Sequence, residues 1–437
     1  MLRRKITEKL LAWKNQENKP CLLVKGARQV GKTYIIEHFA RENYPNYIYI
    51  NFEFNPEYKE IFSGALDFGS IKEQLEVNFP DQKIEKGQTL LFLDEIQACP
   101  NARTALKPLA LDGTIDVVAS GSLLGLHYKE VRSYPVGYEL PITLYPLDFE
   151  EYLWGMGMSD DVIKRFRDAL KNRSPLTLTV ANKMNEYFRK YMLTGGMPAV
   201  VEQYFRENSL QGVLRTQVAI IDNYKEDVLK YAGDADKQKI LRTFQSIPAQ
   251  LAKKNKKFVY ADIDRSDDNP SERKYSSSLS WLMDAGIAVP CYNLNEPAVS
   301  LEMNKKPDIF KLYMGDTGLL VSMLETGVQK AILNDDLYVN EGAIVENVCA
   351  AEIMAHYESL YYFERKGKLE IDFILNLDGV ATALEVKSGN NKRAKSLYSI
   401  IENYPRVGRY IMLERGVDIY VDERGIEHLP IFMVAFL

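Results

Sequence analysis

The chain has 437 residues, 46% of them hydrophobic and 26% charged, with a net charge of −5. That length is too great for one hydrophobic core and fits about three or four domains of an ordinary globular protein, and no apolar run reaches the roughly eighteen residues that a membrane span needs. The acidic balance does not mark a nucleic-acid binder, although a local basic groove stays open. Cys21, Cys99, Cys291 and Cys349 lack ligand spacing and read as small core residues of a reducing compartment. His38, His127, His356 and His428 are isolated and form no Cys/His cluster. The basic start Met1-Leu2-Arg3-Arg4-Lys5 runs into Ile6-Thr7-Glu8-Lys9 where a signal peptide would need an apolar core, so a cytoplasmic location is expected.

The apolar run Cys21-Leu22-Leu23-Val24 predicts a buried strand, and Tyr34, Ile35, Ile36, Phe39 and Ala40 recur at helical spacing. Between them Gly26-Ala27-Arg28-Gln29-Val30-Gly31-Lys32-Thr33 reads G-x-x-x-x-G-K-T. A strand, a glycine-bounded loop and a helix start gather backbone N–H groups and the helix dipole around a polyphosphate. Gly26 and Gly31 allow the tight path, Lys32 reaches the β- and γ-phosphates, and the Thr33 hydroxyl ligates Mg²⁺. An apolar-periodic stretch around Ile71, Leu75 and Val77 predicts a helix packed on the sheet. The strand Thr89-Leu90-Leu91-Phe92-Leu93 then ends in Asp94, placed to hold the Mg²⁺ shell, and Glu95, placed to polarise an attacking water. A third buried strand, 115–122, carries Ser120, which either senses the γ-phosphate or orients the water between the two motifs, or caps a following helix at Leu123 and Leu124. The expected ligand is ATP with Mg²⁺.

Tyr145-Pro146-Leu147-Asp148-Phe149-Glu150-Glu151 looks like a strand exit followed by a capped helix. From about 156 to 232 the pattern is helical, with Tyr187, Tyr191, Val200, Val201, Tyr204 and Phe205 on apolar faces, broken at Thr194-Gly195-Gly196-Met197-Pro198. Residues 233–300 hold a helix around Ile240–Phe244, a second helix ending at Gly286, and a strand from Ile287 to Tyr292. Helices followed by a small β-wing suggest a winged helix, a unit that binds duplex DNA or packs inside larger ATPases. The basic run Lys253-Lys254-Asn255-Lys256-Lys257, ahead of an expected strand Phe258-Val259-Tyr260, reads as a solvated loop or a phosphate clamp.

Near the C-terminus, Leu369–Leu375 alternates as a strand, Asp378-Gly379 marks a turn, and Ala381–Gly389 contains Glu385-Val386-Lys387. Glu385 and Lys387 are two apart and share a face, and Asp372 on the neighbouring strand can converge with them. Asp with Glu-x-Lys is the chemistry of metal-dependent phosphodiester cleavage: carboxylates hold Mg²⁺, and the lysine steadies the nucleophile or the developing charge. Glu346, on an expected helix, adds a further metal ligand. The bland alternative is a surface Glu–Lys pair on an ordinary hairpin.

Taken in order, these motifs, together with Tyr145-Pro146-Leu147-Asp148-Phe149-Glu150-Glu151, Gly195-Gly196-Met197-Pro198 and Lys311-Leu312-Tyr313-Met314-Gly315-Asp316-Thr317-Gly318, resemble bacterial and archaeal AAA-type ATPases. The C-terminal part of that family is a domain of unassigned function with a restriction-endonuclease-like, PD-(D/E)xK end. The expected fold is multi-domain α/β: a P-loop, AAA-like parallel sheet over 1–155, a helical segment over 156–232, a winged helix over 233–310, and a nuclease-like α/β domain over 311–437. The expected activity is slow ATP hydrolysis coupled to a terminal domain that binds or cleaves DNA. The alternatives are a non-nucleolytic switch that controls assembly, as in a homo-oligomer, and a protein-remodelling ATPase. One departure bears on rate: relatives often carry Gly-Arg where this chain has Gly137-Tyr138, and an arginine there could act as a charge-stabilising finger. Arg132 is the nearby substitute.

Overall fold

Short buried strands alternating with amphipathic helices build the first third of the chain into a sheet whose edge gathers the phosphate loop. The computed structural model describes residues 2–122, 135–325, 327–334, 341–365, 367–389 and 393–437. Arg132 and His127 lie outside the described residues. The Cα packing separates residues 3–145 with 284–286 from a second compact unit formed by 146–283 and 287–437 with Leu2. The boundary after the first unit thus falls at Tyr145, about ten residues ahead of position 155, and the helical, wing and terminal segments pack as one body.

The first unit contains α1 (Ile6–Lys14), β1 (Cys21–Gly26), α2 (Lys32–Asn43), β2 (Asn46–Asn51), α3 (Phe68–Asn78), β3 (Thr89–Asp94), α4 (Pro100–Asp112), β4 (Asp116–Ser122) and β5 (Glu139–Thr143). Among the described residues five strands form a sheet of order β2-β3-β4-β1-β5, and each neighbouring pair is parallel. Parallel strands need helical crossovers and are covered on their faces, which is why β3 and β4 are buried along their whole length. One face packs Leu91, Leu93, Val117 and Ala119 against Phe62, Ile71, Leu75, Leu106 and Leu109. Val77 of α3 is exposed, so only part of its expected apolar face is used. The sheet order places the C-terminal ends of β1, β3 and β4 side by side, where open α/β sheets bind ligands.

The second unit begins with α5 (Phe149–Gly155), α6 (Asp160–Asn172), α7 (Leu178–Thr194), α8 (Pro198–Glu207) and α9 (Leu210–Tyr231). Asp148 and Glu151 close a capping box that starts α5. Then come α10 (Lys237–Leu251), α11 (Glu272–Asp284) and the antiparallel pair β6 (Ala288–Leu294) and β7 (Lys305–Met314). The expected strand at 258–260 does not form: Lys257 makes one isolated bridge to Lys311, and Tyr260–Asp262 is a turn of 3-10 helix. Short helices α12 (Thr317–Ser322) and α13 (Val328–Asn334) precede α14 (Glu341–His356).

The remaining elements are β8 (Leu360–Arg365), β9 (Leu369–Ile371), β10 (Phe373–Leu377), β11 (Val380–Lys387), α15 (Lys395–Asn403), β12 (Arg409–Glu414), β13 (Tyr420–Val421) and β14 (Ile426–Pro430). The β6–β7 hairpin is not a free wing. β6 also pairs in parallel with β8, giving a four-stranded sheet β7-β6-β8-β9. A second sheet runs β10-β11-β12-β14-β13. Its first hairpin turns at Asp378 and Gly379, both at positive φ (52° and 82°), as a two-residue reversal between twisted strands requires.

Two glycine-rich motifs that are far apart in sequence meet in this unit. Asp316 accepts the N–H of Gly196 at 2.6 Å and caps α12 by accepting the N–H of Leu319 at 2.8 Å. The Gly196 carbonyl accepts the N–H of Leu147 at 2.7 Å, and Gln217 of α9 donates to the carbonyls of Leu193 and Thr194. Burial raises the Asp316 carboxyl to about 6, with the backbone N–H groups of Gly196 and Leu319 opposing the shift.

Candidate functional site

The chain leaves β1 at Gly26, loops through Ala27–Val30, and enters α2 at Lys32, with Gly31 as its N-cap residue at φ 91°. A side chain on Gly26 would put its Cβ 2.3 Å from the Leu144 carbonyl oxygen, so the start of the loop needs glycine for close approach. Gln29 also sits at positive φ (65°). The Lys32 ammonium lies buried in the loop and donates to the carbonyls of Gly26 (3.1 Å) and Ala27 (2.9 Å). Arg4, just ahead of α1, fixes the loop from outside by donating to the Val30 carbonyl at 3.1 Å and to that of Tyr145 at 2.6 Å.

Asp94, at the end of β3, is the hub. Its Oδ2 accepts from the Thr33 hydroxyl (2.9 Å), the Asn51 amide (3.0 Å) and the Tyr49 hydroxyl (3.1 Å), and its Oδ1 accepts from Ser120. Ser120 lies inside β4 and faces Asp94, which sets aside its helix-cap alternative. Thr33 and Asp94 adjoin at the start of a helix, an oxygen pair suited to Mg²⁺ beside a phosphate. Glu95 follows in a left-handed conformation (φ 53°), its carboxylate accepting from the Gln97 amide. A non-glycine residue held there stores backbone strain, a recurrent property of functional positions.

In the second unit, Lys311 of β7 is wholly buried, with its Nζ 2.8 Å from Glu370, 2.9 Å from Glu346 and 3.8 Å from Asp372. Glu346 of α14 also accepts from the Tyr313 hydroxyl and the Lys256 ammonium. Asp372, between β9 and β10, accepts the N–H of Val386 at 2.8 Å. Glu385 pairs instead with Lys387 on its own strand. The structure therefore gathers Glu346 and Asp372 around Lys311 and gives Glu385 a different partner. Among the described residues no three His, Cys, Asp or Glu side chains are placed to hold one metal ion. Of the basic run, Lys253 pairs with Asp262 and Lys256 with Glu346, so neither is a free phosphate clamp.

Residues 18–153 match the family described as AAA domain. The N-terminal unit is thus similar to AAA-type P-loop ATPase domains. Residues 185–330 and 341–432 match two domains of unknown function, DUF8612 and DUF4143. No curated protein matches the chain. Among solved structures, the chain is similar to the Aeropyrum pernix ORC1 protein in complex with DNA at 14% identity, covering 76% of this chain and 91% of that one, with a TM-score of 0.31. It is similar to Drosophila ORC bound to DNA at 12% identity, covering 76% and 95%, with a TM-score of 0.29. It is similar to C. elegans PCH-2 at 16% identity, covering 35% and 44%, with a TM-score of 0.23. At such TM-scores these likenesses support no functional argument. No helix among the described residues is long and apolar enough to cross a membrane.

Burial sets the electrostatics of the ATPase domain. It lowers the Lys32 ammonium below its usual range, with the Glu95 and Asp94 charges opposing that shift. Burial raises the Glu95 carboxyl, and Gln97 and Lys32 oppose it. Arg4, Tyr49, Asn51 and Gln97 were not legible as site residues. Asn51 ends β2 in direct register with Asp94, a pairing that only the folded sheet shows. Tyr138, by contrast, lies in the turn just ahead of β5, where its carbonyl accepts from Cys21 at the beginning of β1. That is five strand residues, roughly 16 Å, from the loop edge of the sheet. An arginine at 138 would not reach this domain's own phosphate site, so its absence says nothing about the rate there.

Proposed function

We propose that the ATPase domain binds ATP with Mg²⁺ and hydrolyses it, and that nucleotide state is coupled to the second unit. The observation that carries this reading is the contact of Thr33 with Asp94 at the start of α2, beside Lys32 and one residue ahead of Glu95. Gly26–Thr33 would wrap the polyphosphate with backbone N–H groups, and the Lys32 ammonium would turn from its carbonyl partners to the β- and γ-oxygens. Mg²⁺, when bound through Thr33 and Asp94, neutralises charge on those oxygens. Glu95 orients the attacking water, and Ser120 holds Asp94 in place. A slow basal rate fits this arrangement, because the Glu95 carboxylate must first leave Gln97.

Coupling has a covalent route. Leu144 donates its N–H to Lys25 at 2.7 Å and presses its carbonyl on Gly26, and the next residues lead through Tyr145 into the second unit. Lys32→Ala is expected to weaken ATP binding roughly 10²-fold, the equivalent of two lost charge-assisted bonds. Titration of a fluorescent ATP analogue measures it, and equal affinity of variant and wild type would end the nucleotide reading.

For the terminal domain, the order Glu346, Asp372, Glu385-x-Lys387 on a helix and two adjacent strands supports a nuclease-like, DNA-binding part. A non-nucleolytic reading, in which nucleotide controls assembly, is favoured by Lys311 sitting among the acidic residues. Mg²⁺-dependent plasmid cleavage lost in both Asp372→Ala and Lys387→Ala would decide for the nuclease. A nucleotide-dependent change in oligomeric size without cleavage would decide for the switch.

A further inference from the structure

The acidic cluster of the second unit contains a cation supplied by the chain itself. Glu346 arrives from α14, Glu370 from β9 and Asp372 from the residue after it, and the Lys311 side chain from β7 ends between them with no exposed surface. Its ammonium also lies over the Tyr362 ring, 5.0 Å from the centroid. We propose that the Lys311 ammonium, and not a divalent cation, is the counter-charge of Glu346, Glu370 and Asp372, so that this cluster takes no divalent metal while Lys311 is in place.

Three physical points support this. First, the oxygens lie at 2.8, 2.9 and 3.8 Å from Nζ, which are ammonium–carboxylate lengths, whereas Mg²⁺ demands about 2.1 Å. Second, Glu346 is paired with both Lys311 and Lys256, and Glu370 with Lys311, so the carboxylate charge is already offset by ammonium groups. A divalent ion added beside Lys311 would put two cations in near contact. Third, the lysine has no ready way out. Its backbone is paired to Cys291 on one side and bridged to Lys257 on the other, and its side chain is enclosed. Burial works against the Lys311 charge, and Glu346, Asp372 and Glu370 outweigh it, so the ammonium stays protonated. The expected ligand set of Glu346, Asp372 and Glu385 is thereby replaced by Glu346, Glu370 and Asp372, already satisfied by a lysine.

The inference accords with the non-nucleolytic reading, but it is tested by metal binding and not by cleavage, so the two can fail separately. Mn²⁺ is titrated into full-length protein without nucleotide and followed by electron paramagnetic resonance. Wild type and Asp372→Asn are expected to bind the same number of ions. Lys311→Met, which keeps the chain length and removes the charge, is expected to bind one more ion per chain, and Lys311→Met with Asp372→Asn is expected to lose it again. A wild-type ion that disappears in Asp372→Asn overturns the proposal. So does a Lys311→Met variant that is folded by circular dichroism and gains no ion. Should Lys311→Met not fold, the comparison of wild type with Asp372→Asn decides alone.

Discussion

Glu95→Gln is expected to bind ATP with near wild-type affinity and to turn it over about 10²–10³-fold more slowly, the usual cost of removing one group aimed at the transition state. Glu95 lies one residue beyond the Asp94 hub and outside the phosphate loop itself, so binding and turnover are expected to separate in this variant. Glutamine keeps the size and one acceptor but cannot take a proton from water. The pH profile adds a second signature. Burial raises the Glu95 carboxyl, so it protonates at a higher pH than an ordinary carboxylate. The active form is the carboxylate, and turnover should therefore fall on the acid side beginning above the usual range, with no such limb in the residual activity of Glu95→Gln. Steady-state phosphate release across pH, alongside a binding titration, measures both. Unchanged turnover would assign the water-orienting role elsewhere.

The parts of the nucleotide site that were legible are those carried by backbone path and local spacing. Gly26 and Gly31 are dictated by steric approach and positive φ, and Asp94 and Glu95 by the end of a continuous apolar strand. Arg4, Tyr49 and Asn51 reach the site only through the parallel register of the sheet and the return of the chain at Tyr145. One sequence carries no record of such long-range pairing. The same limit applies in the second unit. The turn at Asp378-Gly379 and the Glu385-x-Lys387 alternation are local, and they appear as expected. Lys311 stood only within a motif of the resemblance and had no site role there, because nothing near it in sequence reveals that Glu346, Glu370 and Asp372 gather at its tip. Position 138 shows the converse error: proximity in sequence to a functional segment did not make it proximal to the phosphates.

Gly195→Ala is expected to destabilise the second unit by about 2–4 kcal/mol, from backbone strain and overpacking together. Gly195 adopts φ 66°, ψ −165°, a conformation essentially restricted to glycine. An added Cβ would also lie 2.2 Å from Asp316 Oδ1 and 2.6 Å from Oδ2, well inside contact distance. Neither party can yield cheaply. Asp316 is held by the N–H groups of Gly196 and Leu319, and the Gly196 carbonyl is in turn bonded to Leu147, whose own carbonyl accepts from the Tyr191 hydroxyl at 2.8 Å. Displacing Asp316 would leave those backbone donors buried without acceptors, a cost of about 1–3 kcal/mol for each. Alanine at Gly233, where an added Cβ meets nothing within 4 Å, serves as the control. Urea melts of both variants measure the difference. Equal midpoints would show that the junction of α7, α8 and α12 relaxes freely around Asp316 and does not lock the unit.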